Sequence, residues 1–432
     1  MKIQEINVLV DGYNLEMVEG TGIKTYGVTL IKALTSLGIN VDILCSRNSN
    51  NKSNSKNLIL NEALFFDRPS DKNNISKAKI IFFAAIQKFY HAQEIPVSDF
   101  VIKQNADYIF DYLTNSGKIF NLNDCYKITN NVYKLFQITT KINIKRKIDI
   151  LHATYPLPIR VNNAKKITTI HDLIPLKLPH TTLDDKKFFF NLVKDSIKDS
   201  ALIITISENT KKDILHCFDI HPDKIHLTYQ PIIDNSLLIT DDLLPIFLKK
   251  YKLRLKKYIL FVGSIEPKKN LGRLIDAYSR LDTEMQLVIV GKKGWLWEGE
   301  IGKVEAIFGK GFAKKVKFLE YVTRQDLSYL YKGAFCFVFP SLYEGFGLPP
   351  LEAMSLGCPV ITSNVASLPE VCGNAAIYVD PYNSEEIRQA IEKLMNDPDT
   401  KAQLIEAGKE RVEFFSMENY SKKLHDAYTN IL

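Results

Sequence analysis

The sequence predicts an α/β protein with two doubly wound domains, each built around a mostly parallel sheet. Three observations support this fold class. At 432 residues, the chain is long enough for about two domains with separate cores. It opens on a strand, a glycine-containing turn and an amphipathic helix, which is the order of a βαβ unit. A second unit of the same order begins near residue 258.

Composition is that of an ordinary globular protein, with 46% hydrophobic and 24% charged residues. No window offers the roughly 18 consecutive apolar residues of a membrane span. The start, MKIQEINVLVDGYN, predicts a strand and a turn rather than a signal peptide, so we expect a cytoplasmic protein. Six cysteines without a C-x-x-C pair indicate reduced thiols and argue against a zinc site. A net charge of +7 suits an anionic substrate or an anionic membrane surface and does not indicate nucleic acid.

The amino-terminal half predicts strands at residues 6–10, 41–45, 148–152, 166–171 and 201–206. Helices are predicted at residues 25–37 and from Ser207, as its cap, to about residue 218. The turn at residues 19–23 has two glycines at the carboxyl end of the first strand, where α/β sheets bind ligands, although a tight turn also explains them. His171 ends a strand at the same edge of the sheet, where a structural histidine is the usual alternative.

Residues 47–147 are the least informative part of the sequence. Segments rich in Asn, Lys and Ser alternate with aromatic clusters, and residues 76–92 have an apolar stripe with lysines on the opposite face. One interpretation is a basic amphipathic helix that lies on a membrane or over a lipid-linked acceptor. The alternative, which we prefer, is a helix packed into the core of the amino-terminal domain.

The carboxyl-terminal half follows a connection that ends near residue 250. Strands are predicted at residues 258–263, 287–290, 316–319, 334–339, 358–362 and 375–379, and helices at residues 271–280, 349–356, 384–394 and 414–432. Lysines at 268 and 269 follow the first of these strands. A lysine in such a loop can neutralise a phosphate, but a solvated surface lysine is the usual alternative.

Residues 334–362 are the most informative stretch. A buried strand is followed by a loop with two glycines, Ser341 to Gly347, and by a helix whose first turn contains two prolines. This order directs backbone N–H groups at one point and favours a phosphate there. Glu344 and Glu352 frame the site with seven residues between them. Alone, each is explained equally well as a solvated loop acid or a partner of the helix dipole.

The joint pattern resembles the E-x7-E element of the retaining GT-B glycosyltransferases, especially the family-4 group. Residues 340–360 read P-S-L-Y-E-G-F-G-L-P-P-L-E-A-M-S-L-G-C-P-V, and T-I-H-D-L-I-P at 169–175 and G-S-I-E-P-K-K-N at 263–270 resemble motifs of the same group. The resemblance is densest at residues 258–381 and weakest at 47–147. It implies two facing doubly wound domains, residues 1–235 with 414–432 and residues 236–413. It also implies an interdomain cleft and a carboxyl-terminal helix that crosses back to the first domain.

The resemblance also implies a reaction, the transfer of a hexose from a nucleoside diphosphate sugar to an acceptor hydroxyl with retention at the anomeric carbon. His171, Lys269 and Glu344 are the expected catalytic residues, binding sugar, pyrophosphate and sugar hydroxyls, respectively. Glu352 is expected on the ribose. The remaining donor-binding residues that it implies are Gly22, Val322, Gly345, Phe346, Gly347 and Leu348. Ser264 stands where many members have an arginine, so either another cation supplies that charge or the chain belongs to a subgroup without it.

Bacterial mannosyltransferases that build surface polysaccharide are the subgroup most similar to these motifs. We therefore expect GDP-mannose as donor, a glycan or lipid-linked acceptor, no cofactor, and peripheral membrane association as an open alternative. No D-x-D motif ends an apolar strand, so we expect no metal. A UDP-sugar donor, a glycan phosphorylase and a non-catalytic nucleotide-sugar-binding protein stay open. A Rossmann oxidoreductase is disfavoured because no G-x-G-x-x-G with a downstream acidic residue follows a strand.

Overall fold

The computed structural model describes residues 6–17, 22–47, 58–66, 91–98, 117–233 and 239–432. Within these ranges the chain forms two large sheets, one in each half, with helices packed on both. The predicted amphipathic segment at 76–92 lies almost entirely outside the described residues, so its two interpretations stay open.

The first sheet has eight strands in the order β10-β9-β8-β6-β1-β2-β4-β3. All neighbours are parallel except β3 and β4 at one edge. Its strands are β1 Asn7–Asp11, β2 Asn40–Cys45, β3 Gln93–Ile95, β4 Ile119–Asn121, β6 Ile150–Ala153, β8 Lys165–Ile170, β9 Leu202–Thr205 and β10 Ile225–Leu227. A separate parallel pair is formed by β5 Thr140–Ile142 and β7 Ile159–Val161.

The second sheet has six parallel strands in the order β13-β12-β11-β14-β15-β16. They are β11 Tyr258–Val262, β12 Gln286–Val290, β13 Val316–Leu319, β14 Cys336–Phe339, β15 Val360–Ser363 and β16 Ala376–Val379. The strand order reverses between β11 and β14. In an open parallel sheet this switch point leaves a crevice at the carboxyl ends of the strands, where ligands bind.

Helices connect the parallel strands in both halves. Those of the first half are α1 Gly22–Ser36, α2 Leu58–Phe66, α3 Cys125–Phe136, α4 Ile174–Lys177, α5 Lys186–Asp199 and α6 Glu208–Cys217. Those of the second half are α7 Leu244–Lys250, α8 Leu271–Ser279, α9 Trp297–Phe308, α10 Arg324–Gly333, α11 Leu348–Ser355, α12 Leu368–Cys372, α13 Ser384–Asn396, α14 Pro398–Phe414 and α15 Met417–Thr429. Among the described residues, no helix combines the length and the apolar character needed to cross a bilayer.

The predicted fold class, α/β with two doubly wound sheets, is confirmed. Most of the predicted elements are found within a few residues of their expected bounds, and Ser207 caps α6 by accepting a hydrogen bond from the backbone N–H of Thr210 at 3.1 Å. The domain boundaries near residues 235 and 413 stay a prediction.

The carboxyl terminus differs from the prediction of one helix over residues 414–432. A long helix, α14, ends at Phe414, and the crossing helix α15 begins only at Met417. Ser416 separates them, since its side chain accepts a hydrogen bond from the backbone N–H of Asn419 and so caps α15. Helix α15 then packs on α1 of the first half, as expected, and buries Leu424 and Tyr428.

Candidate active site

The loop between β14 and α11 lies at the switch point of the second sheet, and a side chain from outside the loop holds its backbone. Ser367 Oγ lies 2.9 Å from the carbonyl oxygen of Glu344 and 2.6 Å from that of Phe346. Gly347 precedes α11 with φ +121°, and a Cβ there would also lie 2.9 Å from Leu368 Cδ2. A side chain at position 347 is therefore disfavoured by the backbone conformation and would also require the Leu368 side chain to move.

Lys269 and Glu344 meet in this loop. Lys269 follows β11, and its Nζ lies 2.6 Å from Glu344 Oε1, to which Ser341 Oγ also donates at 2.5 Å. Both side chains are largely buried, at 15% and 13% exposure, and Lys269 Nζ lies 5.1 Å from the centre of the Phe339 ring. A buried, paired charge at the ligand edge of a sheet is typical of a binding site for a charged ligand.

Glu344 is held in its ionised form. Burial alone would raise the pKa of its carboxyl group. The charges of Lys269 and Lys268, with hydrogen bonds from Lys269 and Ser341, outweigh burial and lower that pKa below its ordinary value. The site therefore contains a carboxylate and at least one ammonium group within hydrogen-bonding reach of each other.

Lys268 is a second cation beside this pair. Its Nζ lies 3.4 Å from Glu266 Oε1, and its side chain is 23% exposed. Burial opposes its charged form, but the carboxylates of Glu266, Glu344 and Asp172 outweigh burial and raise its pKa. Sequence analysis selected Lys269 from the lysine pair, and Lys269 is the one for which the structure shows a direct contact with Glu344.

His171 directly follows β8 in the first half, and only 7% of its surface is exposed. Its Nε2 lies 2.8 Å from the carbonyl oxygen of Thr154, so Nε2 carries the proton and donates. Burial lowers the pKa of the imidazole to about 4, although the hydrogen bond to Thr154 opposes this shift. The ring is therefore neutral near pH 7, and Nδ1 is its acceptor nitrogen.

Gly345 brings the two halves of the site together. A Cβ on Gly345 would lie 2.5 Å from the carbonyl oxygen of His171 and 3.0 Å from the Cβ of Asp172. Glycine is therefore needed here because the backbone of the first half approaches the loop of the second. Asp172 itself accepts a hydrogen bond from the backbone N–H of Ile174 at 3.0 Å, which orients its loop.

The start of α6 forms a polar seam with the second half, and sequence analysis missed its main residues. The Glu370 carboxylate accepts hydrogen bonds from the backbone N–H groups of Glu208 and Asn209, at 2.5 and 3.1 Å. Asn209 Nδ2 donates to the Tyr343 hydroxyl at 2.6 Å, and that hydroxyl donates to Asp213. Partners more than 120 positions apart give no local sequence signal.

Ser207, predicted only as a helix cap, is also part of this seam. Its Oγ donates to the carbonyl oxygen of Gly345 at 2.7 Å. One hydroxyl thus caps α6 in the first half and binds the glycine loop of the second. The loop that presents Glu344 is therefore held from both sides of the cleft.

Glu352 contacts a different set of residues from those around Lys269 and Glu344. It is partly buried on α11, where the Tyr331 hydroxyl donates to Oε2 at a long 3.3 Å. Burial raises its pKa, opposed by the charge of Arg324 and by Tyr331. Val322 precedes Thr323, the N-cap of α10, and α10 contains both Arg324 and Tyr331, so the two predicted nucleotide contacts adjoin the same helix.

The remaining predicted residues occupy the edges of the site. Gly22 begins α1, and a Cβ there would meet no atom within 4 Å. The Phe346 ring is buried against Tyr229 and Phe415, at centroid distances of 6.3 and 5.5 Å. Only the backbone of Phe346 therefore contributes to the loop. Leu348 is the first residue of α11. Within the described ranges, no three or more His, Cys, Asp or Glu side chains are grouped as a metal site would require.

Comparison with known proteins identifies both halves. The family model described as glycosyl transferases group 1 matches residues 247–411, and that of glycosyltransferase family 4 matches residues 118–235. O-antigen chain mannosyltransferase B of Escherichia coli is 34% identical over 282 residues, which are 63% of this chain and 71% of that protein.

A second relative and a solved structure extend the comparison. The serotype-specific mannosyltransferase WbdA of Escherichia coli is 31% identical over 65% of this chain, which aligns with only 35% of that longer protein. Sucrose-phosphate synthase from Thermosynechococcus elongatus superposes with a TM-score of 0.69 over 99% of both chains at 17% identity. This structural likeness shows the fold alone.

Proposed function

This chain belongs to the GT-B glycosyltransferases of group 1 and family 4, and from that premise we propose that it transfers mannose from GDP-mannose. The acceptor is a hydroxyl of a glycan or lipid-linked glycan in surface polysaccharide synthesis, and the anomeric configuration is retained. The names of the relatives support the sugar and the product class, since both are mannosyltransferases and one is an O-antigen chain enzyme.

The observation that most supports the role of the cleft is the buried Lys269–Glu344 pair, 2.6 Å apart at the switch point of the second sheet. Charge develops on the leaving diphosphate as the bond from the anomeric carbon to the phosphate oxygen breaks. Lys269 stabilises that charge, as ammonium groups do at phosphate sites. Glu344 keeps the ammonium oriented and accepts hydrogen bonds from sugar hydroxyls.

The start of α11 adds backbone donors. Pro349 and Pro350 have no N–H, so the N–H groups at this helix start come from Gly347 and Leu348. The positive end of the helix dipole favours the diphosphate at the same point. Lys268 supplies a further cation beside Glu344 and is our candidate for the charge expected at Ser264.

His171 contributes from the facing half. Because Nε2–H donates to Thr154, Nδ1 accepts a hydrogen bond from a sugar hydroxyl. Glu352 binds the ribose hydroxyls, with Val322 beside the base and Gly22, Gly345 and Phe346 along the backbone of the donor site.

The proposed reaction needs no covalent nucleophile from the protein. The acceptor hydroxyl attacks the anomeric carbon on the face that the diphosphate leaves, forming the new glycosidic bond. Its proton passes to the departing diphosphate.

We also propose that the reaction requires no metal, so chelator treatment leaves transfer unchanged. Loss of transfer with recovery on added Mn²⁺ or Mg²⁺ contradicts that part of the proposal.

Thermal stabilisation by GDP, UDP, ADP and dTDP, measured without metal, tests the donor. A ligand at a hundredfold excess over its Kd raises the free energy of unfolding by about 2.7 kcal/mol. We expect a shift with GDP alone. A shift with UDP alone favours a UDP-sugar transferase instead, and no shift with any of the four contradicts the nucleotide-sugar site.

A matched pair of variants separates the site from the rest of the surface. The Lys269→Ala variant loses the GDP shift, whereas Lys409→Ala, which removes an exposed lysine paired with Glu406, retains it.

Activity assays test the alternative functions. Release of sugar-1-phosphate from a glycan and inorganic phosphate favours the phosphorylase alternative. Binding of GDP-mannose without turnover favours a non-catalytic protein.

A further inference from the structure

A buried chain of polar side chains runs from the crossing helix α15 towards the candidate active site. His152 on β6 is fully buried, and its Nδ1 lies 2.6 Å from the hydroxyl of Tyr428 on α15. Its Nε2 lies 2.8 Å from Thr169 Oγ1 on β8. Thr169 Oγ1 lies 2.8 Å from the hydroxyl of Tyr26 on α1.

The last member of the chain touches His171. The Tyr26 ring is fully buried and meets the imidazole edge to face, with a centroid distance of 4.8 Å and an interplanar angle of 87°. Tyr420, also on α15, packs against Tyr26 with a centroid distance of 6.5 Å. Helix α15 thus reaches His171 through one intervening aromatic ring.

We propose that Tyr26 is a positioning residue for His171 and that Tyr428, through His152 and Thr169, fixes Tyr26. The hydrogen bond from Nε2 to Thr154 fixes the position of one ring nitrogen, and rotation of the ring plane about the Cβ–Cγ bond is limited by what packs against the imidazole. The Tyr26 ring restricts this rotation, and its own hydroxyl is anchored on Thr169. Together the two contacts set the direction of Nδ1.

The chain is neutral, which suits a rigid positioning role. Burial lowers the pKa of His152 to about 3, so one of its ring nitrogens donates and the other accepts. Each nitrogen has one hydroxyl partner. Removing the Tyr428 hydroxyl leaves a buried nitrogen unpaired, which favours rearrangement of the chain.

This inference rests on the proposed role of His171 in donor binding. Alignment of reacting groups is sensitive to small displacements, and an error of about 1 Å can cost roughly a hundredfold in rate. We therefore expect Tyr428→Phe and Tyr26→Phe, which keep the rings and remove single hydroxyls, to lower kcat by about tenfold or more. The KM for the acceptor should change little.

Tyr278→Phe is the matched control. Tyr278 is buried on α8 in the second half, and its hydroxyl donates to the carbonyl oxygen of Met285 at 2.8 Å. The same atom is lost there, with a similar cost in stability but no path to His171. We expect its melting temperature to fall as in the other two variants while kcat stays at the wild-type value.

A direct readout separates positioning from activity. The imidazole nitrogen shifts of His171, recorded by NMR without any donor, should change in Tyr428→Phe and Tyr26→Phe and not in Tyr278→Phe. Unchanged shifts together with control-like kcat values overturn the proposal. Changed shifts in a protein that transfers no sugar leave the positioning role in place and contradict the proposed function. If Tyr428→Phe does not fold, Tyr26→Phe decides the question by the same two readouts.

Discussion

The backbone of His171 and the α-carbon of Gly345 are in close contact across the cleft. A Cβ on Gly345 would lie 2.5 Å from the carbonyl oxygen of His171, closer than real Cβ atoms approach such an oxygen. This single contact joins the strand end of the first sheet to the glycine loop of the second. It makes the small size of residue 345 a condition for assembling the site.

Gly345→Ala is therefore expected to separate the two halves and lower the transfer rate by about a hundredfold, since alignment is lost. Gly302→Ala is the control, because a Cβ on Gly302, which is exposed in α9, meets no atom within 4 Å. Alanine there should stabilise the helix by up to about 1 kcal/mol and leave the rate unchanged. Rates and melting temperatures of both variants test this, and wild-type activity in Gly345→Ala contradicts it.

Lys269→Ala and Glu344→Ala should each reduce turnover by orders of magnitude. Lys269→Ala removes the charge that we propose stabilises the diphosphate, and Glu344→Ala removes the proposed sugar contact and the orientation of Lys269. Both variants should remain folded because the residues lie at loop and turn positions. Lys409→Ala breaks an exposed ion pair, worth about 0–1 kcal/mol, and should behave as wild type. If either variant keeps near-full activity but has a lowered melting temperature, the substituted residue has a structural role and the proposed catalytic role is wrong.

Glu370→Gln should weaken the polar seam at the start of α6. The carboxylate accepts two backbone N–H groups of that helix, and the neutral amide loses the attraction to its positive end. We expect a larger radius of gyration in small-angle scattering and a rise of about tenfold in donor KM. Glu386→Gln is the control, since Glu386 accepts from the N–H of Asp380 within the second half. Equal scattering curves for the two variants would contradict a role of these contacts in holding the two halves together.

Asp11 should make stability depend on pH. Burial raises its pKa from 3.8 to about 6, against hydrogen bonds from Thr154 and Tyr13. A raised acid pKa favours the folded state when the group is protonated. This contribution is complete below about pH 4 and is lost as pH rises through 6. The shift corresponds to about 3 kcal/mol.

The free energy of unfolding of wild type and Asp11→Asn, measured in urea at pH 4 and pH 7.5, isolates this group. Relative to Asp11→Asn, the wild type should have a lower free energy of unfolding at pH 7.5 than at pH 4. Glu16, whose pKa burial raises to about 7, titrates in both proteins, and Asp11→Asn removes only the smaller part of that shift that the Asp11 charge causes. A difference that is the same at both pH values contradicts the assignment.

Local sequence pattern was enough for all six strands of the second sheet and for five of the eight strands of the first. Alternating strand and helix periodicity predicted these strands, and the loop in which Glu344 precedes two glycines, the predicted ligand site, follows β14 at the switch point of the second sheet. Such features depend on residues within one turn or one strand, so composition and spacing reveal them. The helix break at Ser416 was missed, although a serine before Asn419 is a recognisable cap.

Long-range contacts could be obtained only from the tertiary structure. Glu208 and Glu370 are 162 positions apart, and His152 and Tyr428 are 276 apart, so no periodicity links them. The chain's own residues and their spacing therefore specify the α/β elements, the glycosyltransferase loop and the residue types of the site. Which lysine meets Glu344, why residue 345 must be glycine and what holds His171 depend on packing between distant segments, because burial and hydrogen bonding are decided by neighbours in space.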